Sequence, residues 1–228
     1  MALNEATRLP LGLKIFMVSF SLILGVYASA TQGPWTLFYI CDIALFLATL
    51  GICSERSLPV SMAAVGVLVV QGLWVADLLL TALDLSPLRM TGYMLSDNVS
   101  IIKRLMSLFH AWLPLVLLFS IWRLGYDARA MKYWCAVCAV VLLICFFLLP
   151  RPPAPADDPL MAVNVNYVFG LYMSKPQQNM PELAWLGGMF VVLPLCFFLP
   201  AHLLLKQLFP AAIVAFRSRA SLAVPPHP

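Results

Sequence analysis

A thiol, an imidazole and a carboxylate are the parts of an activated nucleophile: the ring takes the S–H proton, and the carboxylate orients the ring and stabilises its cation. Cys41, His110 and Asp77 supply these groups from three separate apolar stretches, and Asp42 directly follows the cysteine. Each has a plainer use. A carboxylate at the centre of a membrane helix costs roughly 2.5–3.5 kcal/mol to insert, so Asp77 must face the bundle interior or water, where it could simply bond another helix. Trp74, Asp77 and Thr81 share one helical stripe with Gln71 at its edge, the pattern of a polar seam between helices. A lone His110 serves equally well as an interhelical donor, and a lone Cys41 as packing. What sets the three apart is their expected depth.

That depth comes from six apolar segments, Leu11–Ala28, Trp35–Cys53, Val60–Leu83, Leu105–Leu124, Tyr133–Leu149 and Ala184–Leu205. Each is near the roughly 20 residues that cross a hydrocarbon core as a helix. Hydrophobic residues make up 62% and charged residues 11% of the 228 positions, well below the charge of a soluble domain. No ten-residue alternation of a barrel is present, and Pro, Gly, Asn and Asp gather between the segments. The expected fold is all-α: a single polytopic domain over residues 1–228 with six transmembrane helices and a long loop at 150–183. Cys41 lies six residues past Trp35, His110 five past Leu105 and Asp77 six before Leu83. At 1.5 Å per residue all three fall about 8–9 Å from the same membrane face.

Nine of the fourteen Lys and Arg, at positions 8, 14, 56, 123, 129, 132, 206, 217 and 219, fall on the N-terminal side of the membrane, so both termini are expected in the cytoplasm. The loops on the other face balance Arg89, Lys103, Arg104, Arg151 and Lys175 against Asp84, Asp97, Asp157, Asp158 and Glu182. The net charge of +4 thus reflects orientation in the membrane, and no nucleic acid is implied. Arg8 and Lys14 ahead of Ile15–Val26 and Ala28-Ser29-Ala30 also have the form of a cleavable signal peptide, which we expect to be retained as the first helix.

The other sequence features carry less. Six cysteines in or beside apolar helices argue against a secreted disulfide framework, and the Cys135/Cys138 spacing reads as packing. His202 beside Lys206 and His227 in a Pro-rich tail receive no catalytic role. No zinc spacing, phosphate loop or serine elbow is present, so no metal or cofactor is expected. The loop 150–183 is Pro-rich at first, and then Asn164, Asn166 and Tyr167 mix amides with an aromatic ring. Such a segment suits either a lid with polar contacts for substrate or an interfacial aromatic belt.

Leu37-Phe38-Tyr39-Ile40-Cys41-Asp42-Ile43-Ala44-Leu45, Phe109-His110-Ala111-Trp112-Leu113-Pro114 running to Trp122-Arg123, and Val163-Asn164-Val165-Asn166-Tyr167 with Lys175-Pro176 occur in that order. In this the chain resembles a group of six-helix membrane proteins. The group comprises bacterial proteins of unassigned role, the cysteine-dependent acyltransferase that builds polyunsaturated ether phospholipids and, more distantly, the androgen-induced hydrolases of fatty-acid esters of hydroxy fatty acids. In that acyltransferase the reactive cysteine precedes a histidine, where this chain has Asp42; the hydrolases use threonine. The resemblance implies Cys41 as nucleophile and His110 as base, and assigns nothing to Asp77. It implies a lipid acyltransferase or lipid-ester hydrolase working through a cysteine acyl-enzyme near the outer leaflet, with membrane lipids as partners. Asp42, Trp74, Asn164, Asn166 and Tyr167 would line the substrate, and a bacterial cytoplasmic membrane would be the location. The alternative is a non-catalytic scaffold or subunit of a membrane complex; a transporter ranks third, since no paired broken helices or inverted repeat is evident.

Overall fold

The computed structural model describes residues 9–87, 89–172 and 175–209. Arg8, Arg217, Arg219 and His227 lie outside them. The helices in chain order are α1 (Leu11–Gln32), α2 (Ile40–Ser54), α3 (Ser57–Ala82), α4 (Ile101–Ser107), α5 (Phe109–Leu124), α6 (Ala130–Leu148), α7 (Glu182–Val192) and α8 (Leu199–Leu208), and the described residues contain no strand. Five stretches are long and apolar enough to cross a membrane: α1, α3, α4 with α5, α6, and α7 with α8. By length and composition this is a multi-pass membrane protein.

The start of the second expected span is corrected. Gly33, at φ 83°, and Pro34 start a separate 3-10 turn over Pro34–Phe38, Tyr39 is extended, and α2 begins only at Ile40. Its 15 residues measure about 22 Å, short of a core about 30 Å thick. The last span is also irregular. Pro194 and Pro200 withhold backbone N–H groups, and a π-helical stretch, Leu193–Phe198, joins α7 to α8.

α3 is the central helix, packed by α2, α5, α6 and α8. Two glycines permit this. A Cβ on Gly51 would stand 2.7 Å from Val60 Cγ2 and 2.9 Å from Val60 N, so the α2–α3 hairpin closes only on glycine. A Cβ on Gly66 would overlap the indole of Trp134, which is fully buried between α6 and α3. Glu55 turns the hairpin in the left-handed region, and its carboxylate holds α1 through Lys14 at 2.6 Å. That is one end of the bundle. The other, called here the site end, carries the start of α2, the close of α3 and the loop after α6.

That loop is packed, with Val163, Val165, Val168 and Phe169 buried. Ala162 N–H donates to Gln32 O at 2.8 Å, Arg151 lies 4.7 Å over the Phe169 ring, and Arg151 also pairs with Glu182. It forms a cap across the site end.

Candidate functional site

Cys41 is the second residue of α2, where the free N–H groups of a helix start favour negative charge. Asn166 of the cap loop fixes this helix start. Its Oδ1 accepts from Ile40 N–H at 2.8 Å, while its Nδ2 donates to Phe38 O at 2.8 Å and to Cys145 Sγ at 3.3 Å. Asn166 therefore bridges the break between the 3-10 turn and α2.

His110 owes its geometry to an irregular helix junction. At Leu108 the turn tightens, and Ala111 N–H bonds Leu108 O at 2.9 Å, which leaves the Ser107 carbonyl without its usual α-helical partner. His110 Nδ1–H donates to that carbonyl at 2.8 Å. In the neutral ring this leaves Nε2 with its lone pair, the form a general base requires. Trp74 stacks on the imidazole, centroids 5.0 Å apart and planes 20° apart, and Phe109 packs against it as well. Pro114, four residues on, adds a second defect, because it offers no N–H to the carbonyl of His110.

The hairpin register places these groups along the bundle. Counting from the Gly51–Val60 contact, Cys41 lies ten positions along α2, about 15 Å, and Trp74 fourteen along α3, about 21 Å. Side chains tilt toward their helix N-terminus, so Cys41 leans toward the site end and Trp74 leans back toward Cys41. Asp77, seventeen positions along, stands at about 25 Å. The expected match in depth between Cys41 and Asp77 is thus corrected: it counted Cys41 from a helix starting at Trp35, whereas the helix starts at Ile40.

Asp77 is also engaged elsewhere. It accepts from the Ser86 hydroxyl, and its second oxygen accepts from Thr91 N–H at 2.8 Å and Thr91 Oγ1 at 2.7 Å. Its carboxylate organises the loop between α3 and α4, and the orientation of His110 comes from a backbone carbonyl instead. The catalytic assignment of Asp77 is withdrawn.

Asn164 and Asn166 are corrected in the same way. Asn164 is fully buried; its Nδ2 donates to Gly170 O at 2.8 Å and Tyr172 O at 3.0 Å, and its Oδ1 accepts from Phe169 N–H at 2.8 Å. Both amides are spent on the chain itself, which removes them as substrate contacts. Asp42 is buried in the first turn of α2, its carboxylate within electrostatic reach of Cys41 and the Tyr39 hydroxyl. Trp74 has one face on His110.

Tyr167 belongs to the site, together with two tyrosines the sequence reading passed over. A thiolate at Cys41 would raise the phenols of Tyr39, Tyr93 and Tyr167, so three hydroxyls lie within electrostatic reach of the sulfur. Burial is the first cause lifting Tyr93 and Tyr167 above the ordinary phenol value; for Tyr93, hydrogen bonding by the Ser107 and Trp74 side chains acts the other way. Tyr167 sits at φ 62°, a conformation that costs a non-glycine residue about 1–3 kcal/mol. It is held there by Trp185 Nε1–H donating to Tyr167 O at 2.9 Å, and by its own N–H donating to Asn164 O at 2.8 Å. No sequence pattern would have placed Tyr93, since it arrives from the loop that Asp77 organises.

At the opposite end His202 pairs with the Tyr126 hydroxyl at 2.6 Å, apart from this constellation. All six cysteines are free.

The fold defines a class: a multi-pass α-helical membrane protein in which the Cys41 thiol lies within electrostatic reach of three phenols and the His110 imidazole stacks on Trp74 of the central helix. Comparison with known protein families, with curated proteins and with solved structures finds no match to this chain.

Proposed function

We propose that this chain is an integral membrane lipid acyltransferase or lipid-ester hydrolase that works through an acyl-enzyme on Cys41. The observation that carries the reading is the Ser107 carbonyl on His110 Nδ1, which fixes the tautomer with Nε2 as base. In the reaction His110 Nε2 takes the Cys41 proton and the sulfur attacks the carbonyl carbon of a fatty acyl ester. The C–S bond forms, the C–O bond breaks, and the leaving alkoxide takes the proton from His110. Water or the hydroxyl of a lysolipid then attacks the thioester by the same proton route and restores the thiol. The resemblance to cysteine-dependent acyltransferases supports the same two residues. With both termini in the cytoplasm, the site end faces the outer leaflet, and a bacterial cytoplasmic membrane is the proposed location.

An activated-acyl lipid probe tests this on the purified protein, with the labelled peptide identified by mass spectrometry. Labelling at Cys41, lost in Cys41→Ala and strongly reduced in His110→Ala, is expected; labelling that persists in Cys41→Ala, or moves to Cys135 or Cys138, would sink the mechanism.

A second reading has its own support. Asp77, Asn164 and Asn166 all spend their polar atoms on holding the chain together, as in a scaffold or subunit of a membrane complex. For a scaffold, Cys41→Ala is nearly silent in both assembly and stability.

A further inference from the structure

Gln71 is fully buried, and neither its Oε1 nor its Nε2 has a hydrogen-bond partner among the described residues. An unpaired amide held away from water costs about 1–3 kcal/mol, so a group left this way calls for an explanation.

Its position supplies one. Val60 faces Gly51 of α2, and Val67, Gln71 and Trp74 lie seven, eleven and fourteen residues further along α3. At about 100° per residue all three point within roughly 40° of the Val60 direction. On the facing helix, Cys41, Ala44, Ala48 and Gly51 follow at spacings of three, four and three, which keeps them on one side of α2. From the Gly51–Val60 contact, Gln71 stands about 16 Å along and Cys41 about 15 Å. The orphaned amide is thus level with the thiol on the adjoining seam, one turn below the Trp74 ring that stacks on His110.

We infer that Gln71 is the oxyanion donor of the Cys41 site: its Nε2–H groups await the carbonyl oxygen of the acyl ester. This rests on the acyl-enzyme reading and deepens it. As sulfur bonds to the carbonyl carbon, the C=O π pair moves to oxygen, and that charge accepts a hydrogen bond from Gln71. When the C–O bond to the alcohol breaks, the carbonyl re-forms as a thioester. A donor of this kind acts on the transition state far more than on the resting ester, and removing one costs about 10²–10³-fold in rate. It also accounts for the buried, unpaired resting amide, whose partner exists only when substrate is bound.

The test compares Gln71→Leu with the wild-type protein in detergent or nanodiscs, reading thermal stability, the rate of activated-acyl probe labelling at Cys41, and alkylation of Cys41 by a small maleimide, which forms no oxyanion at a tetrahedral carbon. The expected result is stability unchanged or raised, alkylation unchanged, and a maximal acylation rate lower by about 10²–10³-fold with little change in the half-saturating probe concentration. Gln71→Met repeats the test with a flexible side chain of similar length. Normal acylation in either folded variant would overturn the inference, as would both variants failing to fold, since Gln71 would then be holding the helices. A wild-type protein that alkylates at Cys41 but never acylates would instead refute the acyl-enzyme reading on which this one stands.

Discussion

Asn166 and Ile40 are 126 residues apart in sequence, yet the side-chain oxygen of one caps the backbone N–H of the other at 2.8 Å. Through this bond the loop after α6 determines where α2 begins, and so where Cys41 sits. Asn166→Ala leaves Ile40 N–H and Phe38 O unpaired, each worth about 1–3 kcal/mol if it stays buried. A lower melting temperature in detergent and faster proteolysis within residues 150–181 are expected, with Cys41 acylation reduced in the molecules that remain folded. Unchanged proteolysis would mean that the loop is held by its apolar residues alone.

Asp77 offers a discriminating control. Because its carboxylate bonds Ser86 and Thr91 while the Ser107 carbonyl orients His110, Asp77→Asn is expected to loosen the segment between α3 and α4 without moving the pH profile of Cys41 labelling. A shifted profile would restore Asp77 to the catalytic group. Hydrogen exchange over residues 83–100 reads the structural half of the effect.

Nucleophile and base acting as one unit should be non-additive. The double variant Cys41→Ala/His110→Ala is expected to turn over a fatty acyl ester no more slowly than Cys41→Ala alone, and Tyr167→Phe to keep measurable labelling of Cys41. Independent, multiplying losses would show that His110 acts on something other than the Cys41 thiol.

Gly66→Ala tests the packing of the central helix. The added methyl meets the Trp134 ring, and overpacking of this kind costs about 1–3 kcal/mol. Pairing it with Trp134→Leu, which vacates the space, is expected to recover part of the loss in melting temperature. No recovery would place the strain somewhere else.

Acid sensitivity has one defined contributor outside the membrane spans. Hydrogen bonding from the Arg129 side chain holds the Asp127 carboxyl below the usual carboxylate range, against the opposing effect of burial. A depressed folded pKa means stabilisation that is complete above the unfolded value of about 3.9 and fades as pH falls through the lower folded one. The gap in melting temperature between the wild type and Asp127→Asn is therefore expected to hold steady from pH 7 to 5 and to close below about pH 4. A gap that grows on acidification would contradict this sign.

The sequence by itself determined the all-helical, membrane-spanning character, because apolar runs of about 20 residues leave the backbone only one way to satisfy its hydrogen bonds in a hydrocarbon core. It also singled out Cys41 and His110, whose chemistry stands out wherever the chain is otherwise apolar, and the stripe through Trp74 and Gln71. The tertiary structure alone decided what those residues meet. Gly33-Pro34 could be read as a helix break, but the restart at Ile40 depends on an asparagine 126 positions away, and long-range capping leaves no trace in local periodicity. Asp77 looked like a partner for His110 until the loop beyond α3 folded back and supplied Ser86 and Thr91. The His110 ring was oriented by a carbonyl freed at the α4–α5 junction, and Tyr93 came in from a loop. Side-chain type fixes what a group can do; which neighbour takes up its hydrogen bonds is set by how helices far apart in the chain pack together.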